Sequence, residues 1–303
     1  MIDSSFLERL RQEAVEVSTD VPMKNHTTFR IGGCADAMCE VKDVPALRNV
    51  LALCKAYAVP YFVLGMGSNL LVSDKGVEGL VIVLGGEFNQ VARMEDNIVR
   101  AGAGCTLAKL CVFAKNMSLS GLEFAWGIPG SVGGAVYMNA GAYDGEMKQV
   151  VTTVDYMDAE GLVKRSYWDD LELSYRHSRF TDTDNIILSA TFQLQPREQD
   201  LIQERMNELM ERRKAKQPIN HPSAGSVFKR PEGAYAAALI EECGLKGYSC
   251  GGAQVSPKHS GFIVNDNNAT AEDVRQLIAH IQQVVKEKKG IDLCCEVKFI
   301  GRP

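Results

Sequence analysis

Residues 127–143 read GIPGSVGGAVYMNAGAY, with glycine at positions 127, 130, 133, 134 and 141. Glycine lets the backbone approach a ligand closely, and successive turn-forming residues can direct several N–H groups at one anion. The composition leaves two interpretations open, a loop that cradles a phosphate or a plain irregular connection. The uncharged run 124–143 is about as long as a membrane span, but its glycines and Pro129 argue against a spanning helix.

A second glycine loop, GMGSNL at residues 65–70, follows a predicted strand at residues 61–64. It invites comparison with the dinucleotide fingerprint G-x-G-x-x-G, but Leu70 stands where the third glycine belongs. The residues after Leu70 indicate a strand rather than a helix, so we exclude a Rossmann fold. What remains is a strand–turn–strand loop whose backbone could donate to a pyrophosphate, with an ordinary hairpin as the alternative.

Hydrophobic periodicity and capping residues place the other elements. Asp43, Thr106 and Thr270 are predicted helix caps, and residues 220–231 are predicted to be a loop. The predicted helices are 6–17, 44–57, 107–119, 200–216, 234–242 and 270–289. The predicted strands are 38–41, 61–64, 70–73, 80–84, 97–103, 150–157, 162–167, 186–194, 261–265 and 291–300. In the last strand the odd positions are apolar, which puts Glu296 on the other face. The pattern is that of an α+β protein.

Composition and charge narrow the class of protein. The chain has 303 residues, of which 46% are hydrophobic and 23% charged, as expected for a globular protein of two or three domains. A net charge of −5 gives no electrostatic footprint for nucleic acid or an anionic membrane. Acidic residues within 1–21 argue against a signal peptide. Nine scattered cysteines without a CxxC pair favour reduced, mostly buried thiols in a cytoplasmic protein, and no metal site is expected.

The two loops and a series of further motifs, in order along the chain, resemble one family, UDP-N-acetylenolpyruvoylglucosamine reductase. The motifs are HTTFRIGG (26–33), GMGSNL (65–70), GIPGSVGG (127–134), NAG (139–141), SYR (174–176), AGSVFK (224–229), GLKG (244–247), HSGFIVN (259–265) and EVKFIG (296–301). The short connection between Arg176 and Ile186 resembles the more compact second type of the family.

The resemblance implies an FAD-binding fold of the vanillyl-alcohol-oxidase type, with two α+β subdomains and a C-terminal α+β substrate domain. The expected divisions are 1–79, 80–196 and 197–303. Backbone N–H groups of the two loops would hold the diphosphate of non-covalent FAD. The residues so implied in cofactor binding are Gly65, Met66, Gly67, Ser68, Asn69, Leu70, Gly127, Ile128, Pro129, Gly130, Ser131, Gly133, Gly134, Asn139 and Gly141.

The resemblance also implies a reaction in peptidoglycan precursor synthesis. NADPH would reduce the FAD, which would then reduce UDP-N-acetylglucosamine enolpyruvate to UDP-N-acetylmuramate, with both partners using one site in turn. Arg176 and Glu296 would stabilise the enolate-like oxygen, and Ser226 would deliver a proton to carbon. Tyr175 and Lys229 are expected contacts to the UDP-sugar. No nucleic acid, membrane or oligomer is required.

Each implied role has a plainer alternative. Arg176 could be a surface arginine paired with Asp182, and Glu296 a solvated glutamate on a strand edge. To donate a hydrogen bond, Glu296 needs burial or a raised pKa. Ser226 could be a turn serine, since a hydroxyl is a weak acid and needs a relay or an activating setting.

Two other functions stay open at this stage, an FAD-dependent oxidase of the same fold and a non-catalytic UDP-sugar-binding protein. Lys298 stands where many family members have arginine, which keeps the charge but loses the bidentate fork. Cys294 and Cys295 precede Glu296 where a proline is common. None of these departures removes a reacting group.

Overall fold

The computed structural model describes residues 2–13 and 15–303; Met1, and Ala14 of the first predicted helix, lie outside the described residues. The helices are α1 (Ser4–Gln12), α2 (Val44–Ala56), α3 (Leu107–Asn116), α4 (Val132–Tyr137), α5 (Gln199–Lys216), α6 (Ala236–Glu242) and α7 (Ala271–Lys289). The strands are β1 (Val17–Pro22), β2 (Cys34–Val41), β3 (Tyr61–Leu64), β4 (Leu70–Val72), β5 (Val77–Leu84), β6 (Val91–Glu95), β7 (Ile98–Gly102), β8 (Leu119–Ser120), β9 (Gly141–Ala142), β10 (Gly145–Glu146), β11 (Val151–Met157), β12 (Val163–Tyr167), β13 (Ile186–Gln193), β14 (Gln195–Pro196), β15 (Ser223–Ser226), β16 (Ser249–Cys250), β17 (Ala253–Val255), β18 (Phe262–Asn265) and β19 (Lys298–Ile300).

Three larger sheets organise these elements into an α+β fold. Their strand orders are β1-β2-β5-β3, β12-β11-β13-β7-β6 and β15-β18-β17-β16. One buried core is shared by the first two sheets, and a second core lies between the third sheet and helices α6 and α7. The first two sheets therefore pack as one body, to which the C-terminal part is added.

The first sheet contains the predicted βαβ unit. Strands β2 and β3 both run parallel to β5, which lies between them, and α2 connects β2 to β3. Asp43 caps α2 as predicted, because its carboxylate accepts a 2.8 Å hydrogen bond from the backbone N–H of Ala46. The expected boundary between residues 79 and 80 falls inside β5, so we place the end of the first subdomain after Leu84; the threefold division itself stays a prediction.

The strand after the first glycine loop does not form a hairpin. Strand β4 pairs in parallel with β19 at the C-terminus, with Leu70 opposite Lys298 and Val72 opposite Ile300. Strand β5 belongs to the first sheet instead. The hairpin alternative was therefore wrong, although a strand and not a helix follows the loop, as we expected when excluding a Rossmann fold.

The second glycine stretch, residues 127–143, contains a short helix that its glycine-rich composition did not predict. In α4, Val132, Ala135 and Val136 are buried, and the Ser131 hydroxyl accepts from Gly134 N–H at 3.2 Å. A Cβ on Gly133 would lie 2.9 Å from Ala103 Cβ, so glycine allows the helix to pack this closely. The expectation of an irregular loop holds for the residues before α4 and was wrong for α4 itself.

The C-terminal part differs from the sequence prediction at two places. The predicted loop 220–231 contains β15, which pairs antiparallel with β18 and ends at Ser226. The predicted strand 291–300 is a strand only at Lys298–Ile300, and the stretch before it is irregular. Helix α7 agrees with its prediction, since Thr270 and Asp273 form a capping box and Gly290 ends the helix with a φ of 71°.

Most of the cysteines are buried, in line with the expected class of protein. Cys39, Cys54, Cys105, Cys111 and Cys243 lie inside, whereas Cys34 and Cys294 are exposed. Burial raises the pKa of the Cys39 thiol to about 12, which keeps it protonated. Over the described ranges, none of the helices combines the length and the apolarity needed to cross a membrane.

The first subdomain also caps a helix of the C-terminal part. The Asp74 carboxylate accepts hydrogen bonds from the backbone N–H groups of Ala271, at 2.8 Å, and Glu272, at 3.1 Å. A negative charge is favourable at this end of a helix because the first N–H groups have no intrahelical acceptor. Together with the β4–β19 pairing, this cap joins the C-terminal part to the first subdomain.

We predict that Asp74→Ala lowers the free energy of unfolding by about 1 kcal/mol, the usual cost of removing a helix cap. Urea denaturation followed by circular dichroism measures the change. Glu204→Ala is the control, since Glu204 is exposed on α5. Equal stabilities for the two variants would show that the Asp74 contact contributes nothing to the joint.

Candidate active site

The two glycine loops meet in the folded chain. A Cβ placed on Gly65 would lie 2.7 Å from the Ser131 hydroxyl oxygen, which is closer than real Cβ contacts. Gly65 follows β3 and Ser131 precedes α4, so the fold brings together residues that lie far apart in the sequence. The two loops therefore border a single site.

The first loop offers a run of free backbone donors. Within the described ranges 2–13 and 15–303, the N–H groups of residues 65–69 donate to no backbone or side-chain acceptor. Gly67 has a φ of 60°, and a Cβ there would lie 2.1 Å from the carbonyl oxygen of His26. Successive N–H groups about a left-handed residue form a concave anion site, so this loop fits a diphosphate.

The second loop offers fewer donors than we expected. The N–H group of Ile128 donates to Ala125 O, that of Val132 to Cys105 O, and that of Gly133 to Ala103 O. Gly134 N–H donates to the Ser131 hydroxyl. In the part of the chain that the structure describes, this leaves the N–H groups of residues 127, 130 and 131 without an acceptor. The first loop therefore carries most of the anion-binding capacity.

Arg176 and Glu296 form a largely buried ion pair. The distance from Arg176 Nε to Glu296 Oε1 is 2.6 Å, and their side chains are 20% and 9% exposed. Arg176 has a φ of 55°, in the left-handed region that few non-glycine residues adopt. The plainer alternatives for both residues were wrong, because Asp182 pairs with Lys298 at 3.1 Å and Glu296 is not solvated.

Burial controls the acidity of Glu296. Desolvation of the carboxylate raises its pKa above the ordinary value, and the positive charges of Arg176 and Lys229 only partly oppose this effect. A carboxyl whose pKa is raised keeps its proton to higher pH, so it can donate a hydrogen bond. The raised pKa of Glu296 is in the direction that a hydrogen-bond donor requires, and its role stays a prediction.

A main-chain hydrogen bond links Glu296 to Val227, the residue that follows Ser226. The Glu296 N–H donates to Val227 O at 2.7 Å, and the Ser226 hydroxyl donates to Phe228 O at 3.1 Å. Among the described residues no side chain makes a hydrogen bond with this hydroxyl. A proton delivered from Ser226 would therefore need a group supplied by a ligand or solvent.

The two predicted substrate contacts surround the ion pair. The Arg176 guanidinium lies 5.0 Å from the centre of the Tyr175 ring, and the Tyr175 hydroxyl accepts from Arg230 N–H at 3.1 Å. Tyr175 is 49% exposed, so its ring is available to a ligand. The charge of Lys229 acts on Glu296, which places this side chain near the same carboxylate.

Asn139, predicted to contact the cofactor, is instead fully engaged inside the protein. Its side chain is 0% exposed. Its Nδ2 donates to Ser174 O and Glu146 Oε2, each at 3.0 Å, and its Oδ1 accepts from Lys148 N–H. The side chain therefore holds the loop that carries Arg176, whereas Gly141 lies in the short β9–β10 pair.

Arg213 is a residue that the sequence analysis missed. It is 9% exposed, a Cβ on Gly127 would lie 3.4 Å from its Nε, and this Nε has no hydrogen-bond partner in the described chain. Burial lowers its pKa. The signal was its place in the helical repeat of α5: Arg213 follows Leu209 by four residues and continues the buried face that Ile202, Met206 and Leu209 define.

The site fits a diphosphate-bearing cofactor by its own geometry. Gly65 and Gly67 let the first loop pack closely against Ser131 and His26, and the N–H groups of this loop are free to bind an anion. The described residues contain no group of three or more His, Cys, Asp or Glu side chains suited to a metal ion. The binding capacity of the site thus lies in backbone donors and in the Arg176–Glu296 pair.

Comparison with known proteins matches two separate parts of the chain to family models. Residues 35–166 match the family model for an FAD binding domain, and residues 217–300 match that for the C-terminal domain of UDP-N-acetylenolpyruvoylglucosamine reductase. A relative from Agathobacter rectalis named UDP-N-acetylenolpyruvoylglucosamine reductase is 50% identical over 99% of both chains.

Solved structures extend the comparison to the fold. The crystal structure of UDP-N-acetylenolpyruvylglucosamine reductase from Thermus caldophilus superposes with a TM-score of 0.80 at 36% identity, covering 94% of this chain and 98% of that one. A structure of p-cresol methylhydroxylase covers 95% of this chain and 89% of its own, with a TM-score of 0.60 at 13% identity. That likeness shows the shared FAD-binding fold of the vanillyl-alcohol-oxidase type and nothing more.

The raised pKa of Glu296 gives a prediction for stability against pH. A raised pKa in the folded state means that folding takes up a proton, so this contribution to stability is lost as pH rises from about 4.5 through the folded pKa. We predict that the unfolding free energy of the wild type minus that of Glu296→Gln falls across this window. The fall is about 1.4 kcal/mol for each unit of the shift.

Urea denaturation of the apoprotein from pH 4 to pH 8 measures this difference, with Glu204→Gln as the baseline for the same substitution at an exposed position. A difference that grows as pH rises would mean that Arg176 lowers the pKa of Glu296 more than burial raises it. That result would remove the case for Glu296 as a hydrogen-bond donor.

Proposed function

The chain belongs to the UDP-N-acetylenolpyruvoylglucosamine reductase family, and we propose that it reduces UDP-N-acetylglucosamine enolpyruvate to UDP-N-acetylmuramate with NADPH, through non-covalently bound FAD. This is a step of peptidoglycan precursor synthesis. The observation that supports it most strongly is the buried Arg176–Glu296 pair, next to Ser226 and joined to the first glycine loop.

The loop residues hold the cofactor in this proposal. The free N–H groups of residues 65–69 bind its diphosphate, with the N–H groups of Gly127, Gly130 and Ser131 as further donors. Bound FAD supplies the hydride-carrying chemistry between NADPH and the enolpyruvyl group. The remaining steps fall to side chains of this protein.

Arg176 and Glu296 act on the carboxyl oxygen on which negative charge develops. The guanidinium is a planar cation whose side chain is only 20% exposed, so it can attract that oxygen by charge and by hydrogen bonds. Glu296 in its protonated form donates a second hydrogen bond to the same oxygen. The 2.6 Å pair found without substrate already holds both groups at one place.

Ser226 supplies the proton to carbon in this scheme. Its hydroxyl donates to Phe228 O in the present structure, so it must turn toward the substrate before it reacts. Tyr175 and Lys229 bind the anionic groups of the UDP-sugar near the ion pair. NADPH and the UDP-sugar use this site in turn.

The cellular setting is part of the proposal. Buried and scattered thiols suit a reducing compartment, which supports a cytoplasmic location. The residues assigned to the reaction all come from one chain, so no oligomer is required for the chemistry.

Flavin absorbance tests the function directly. We expect the purified protein to be yellow, to lose its flavin absorbance with NADPH under exclusion of oxygen, and to recover it on addition of UDP-N-acetylglucosamine enolpyruvate. UDP-N-acetylglucosamine without the enolpyruvyl group is the control and should not restore the absorbance. A colourless protein after incubation with FAD would refute the proposal.

Two other outcomes of this experiment identify the rival functions. Recovery with oxygen, but not with the enolpyruvyl substrate, would indicate an oxidase of the same fold. Tight binding of the UDP-sugar without recovery would indicate a binding protein.

The role of Ser226 predicts a split between the half-reactions. We expect Ser226→Ala to leave flavin reduction by NADPH within about twofold and to slow reoxidation by the enolpyruvyl substrate by about 10²- to 10⁴-fold, the usual contribution of proton transfer. Stopped-flow absorbance separates the two steps. Ser223→Ala, at the start of the same strand, is the matched control and should keep both rates. Equal losses in both half-reactions would contradict the assigned role.

A further inference from the structure

The side chain of Asn69, in the first glycine loop, makes contacts with other parts of the protein. Its Nδ2 donates to the carbonyl oxygen of Glu296 at 3.1 Å and lies 4.0 Å from Met138 Sδ, just after α4. Asn69 is the last residue of the loop whose N–H groups have no acceptor in the described chain. One residue thus touches both glycine stretches and the main chain of the buried acid.

The main chain around Glu296 is held by individual hydrogen bonds and not by a strand. Cys295 forms a single antiparallel bridge with Phe228, in which Lys229 N–H donates to Cys294 O at 2.9 Å and Glu296 N–H donates to Val227 O at 2.7 Å. The Asn69 amide adds a bond from the side of the first glycine loop. The position of the carboxyl therefore depends on a small number of individual hydrogen bonds. Each of them restricts a segment that no sheet ladder holds.

A similar side-chain hydrogen bond restrains the segment that carries Arg176, the other member of the ion pair. The Asn139 amide, after the second glycine loop, donates to Ser174 O, two residues before Arg176. Ser174 and His177 exchange backbone hydrogen bonds around the left-handed Arg176. A strained residue persists only where its surroundings determine its conformation, so this amide bond helps to define where the guanidinium lies.

We propose that Asn69 is a positioning residue, whose side-chain amide fixes the main chain at Glu296 and so couples the cofactor loop to the acid. This inference rests on the proposed function, because it assigns Asn69 to the step that uses Glu296. The backbone of Asn69 binds separately, since its carbonyl accepts from Lys298 N–H at 3.0 Å. Replacing the side chain therefore removes one hydrogen bond and leaves the β4–β19 pairing in place.

The effect of Asn69→Ala is confined to the second half-reaction. We expect FAD affinity of the apoprotein, measured by flavin fluorescence, and flavin reduction by NADPH to stay within about threefold. Reoxidation by the enolpyruvyl substrate at saturating FAD falls about 10²-fold, as a small misplacement of a reacting group can cause. Asn49→Ala is the matched control, because its exposed amide donates only to Glu13 in the described chain, and it should behave as the wild type.

A second readout does not depend on activity. The positive charges of Arg176 and Lys229 lower the pKa of Glu296, but burial of its carboxylate raises the pKa by more than they lower it. If Asn69 holds Glu296 in its buried place, Asn69→Ala lets solvent reach the carboxyl. The pH-dependent stability difference between Glu296 and Glu296→Gln apoproteins then shrinks in the Asn69→Ala background. The alkaline limb of the pH profile for the second half-reaction, where Glu296 loses the proton that it donates, moves to lower pH.

Three outcomes would overturn the inference. Equal loss in both half-reactions with a lowered melting temperature would mean a general structural role. Weaker FAD binding with normal reoxidation at saturating FAD would mean a cofactor contact, and wild-type behaviour in every measurement would mean no role. If the wild type itself is not reoxidised by the enolpyruvyl substrate, the proposed function fails, whereas the apoprotein pH measurement still decides whether Asn69 positions Glu296.

Discussion

Strands β3 and β4, on either side of the first glycine loop, pair in different sheets, and this separation forms the site. Strand β3 pairs with β5 in the first sheet, whereas β4 pairs with β19 from the C-terminus. A hairpin would have provided acceptors across the turn, but strands in different sheets leave the loop between them without a ladder partner. The N–H groups of residues 65–69 are therefore available to an anion.

The same separation brings the acid to the cofactor loop. Because β19 pairs with β4, the segment just before β19 runs beside the loop, and Glu296 is fixed there. Arg176 arrives from the second subdomain and completes the ion pair, with its own segment held through Asn139. One non-local strand pairing thus assembles groups from three parts of the chain. The Asp74 cap on α7 reinforces this arrangement.

Local features of the fold could be predicted from the sequence, and non-local ones could not. The caps at Asp43, Thr106 and Thr270 were recognisable because capping depends on a side chain and the few residues that follow it. The partner of β4 lies more than two hundred residues away, and no pattern near Leu70 specifies it. Helix α4 was missed because Gly133, needed for close packing, lowers the helix propensity of the segment.

In the candidate site, too, some residues could be predicted from the sequence and others could not. The resemblance to a family brought forward Arg176, Ser226 and Glu296. The structure pairs Arg176 with Glu296 and bonds the Glu296 N–H to Val227 O, next to Ser226 in the chain. The engaged amide of Asn139 and the burial of Arg213 depend on neighbours that only the folded chain supplies. The resemblance therefore named the candidate reacting groups, while the contacts that hold them in place appeared only in three dimensions.

A crystal structure of the protein with FAD would show directly where the diphosphate binds. We predict that diphosphate oxygens accept hydrogen bonds from the N–H groups of residues 65–69 and that the flavin ring lies against the Arg176–Glu296 pair. A diphosphate bound elsewhere, with these N–H groups hydrogen-bonded to water, would contradict it.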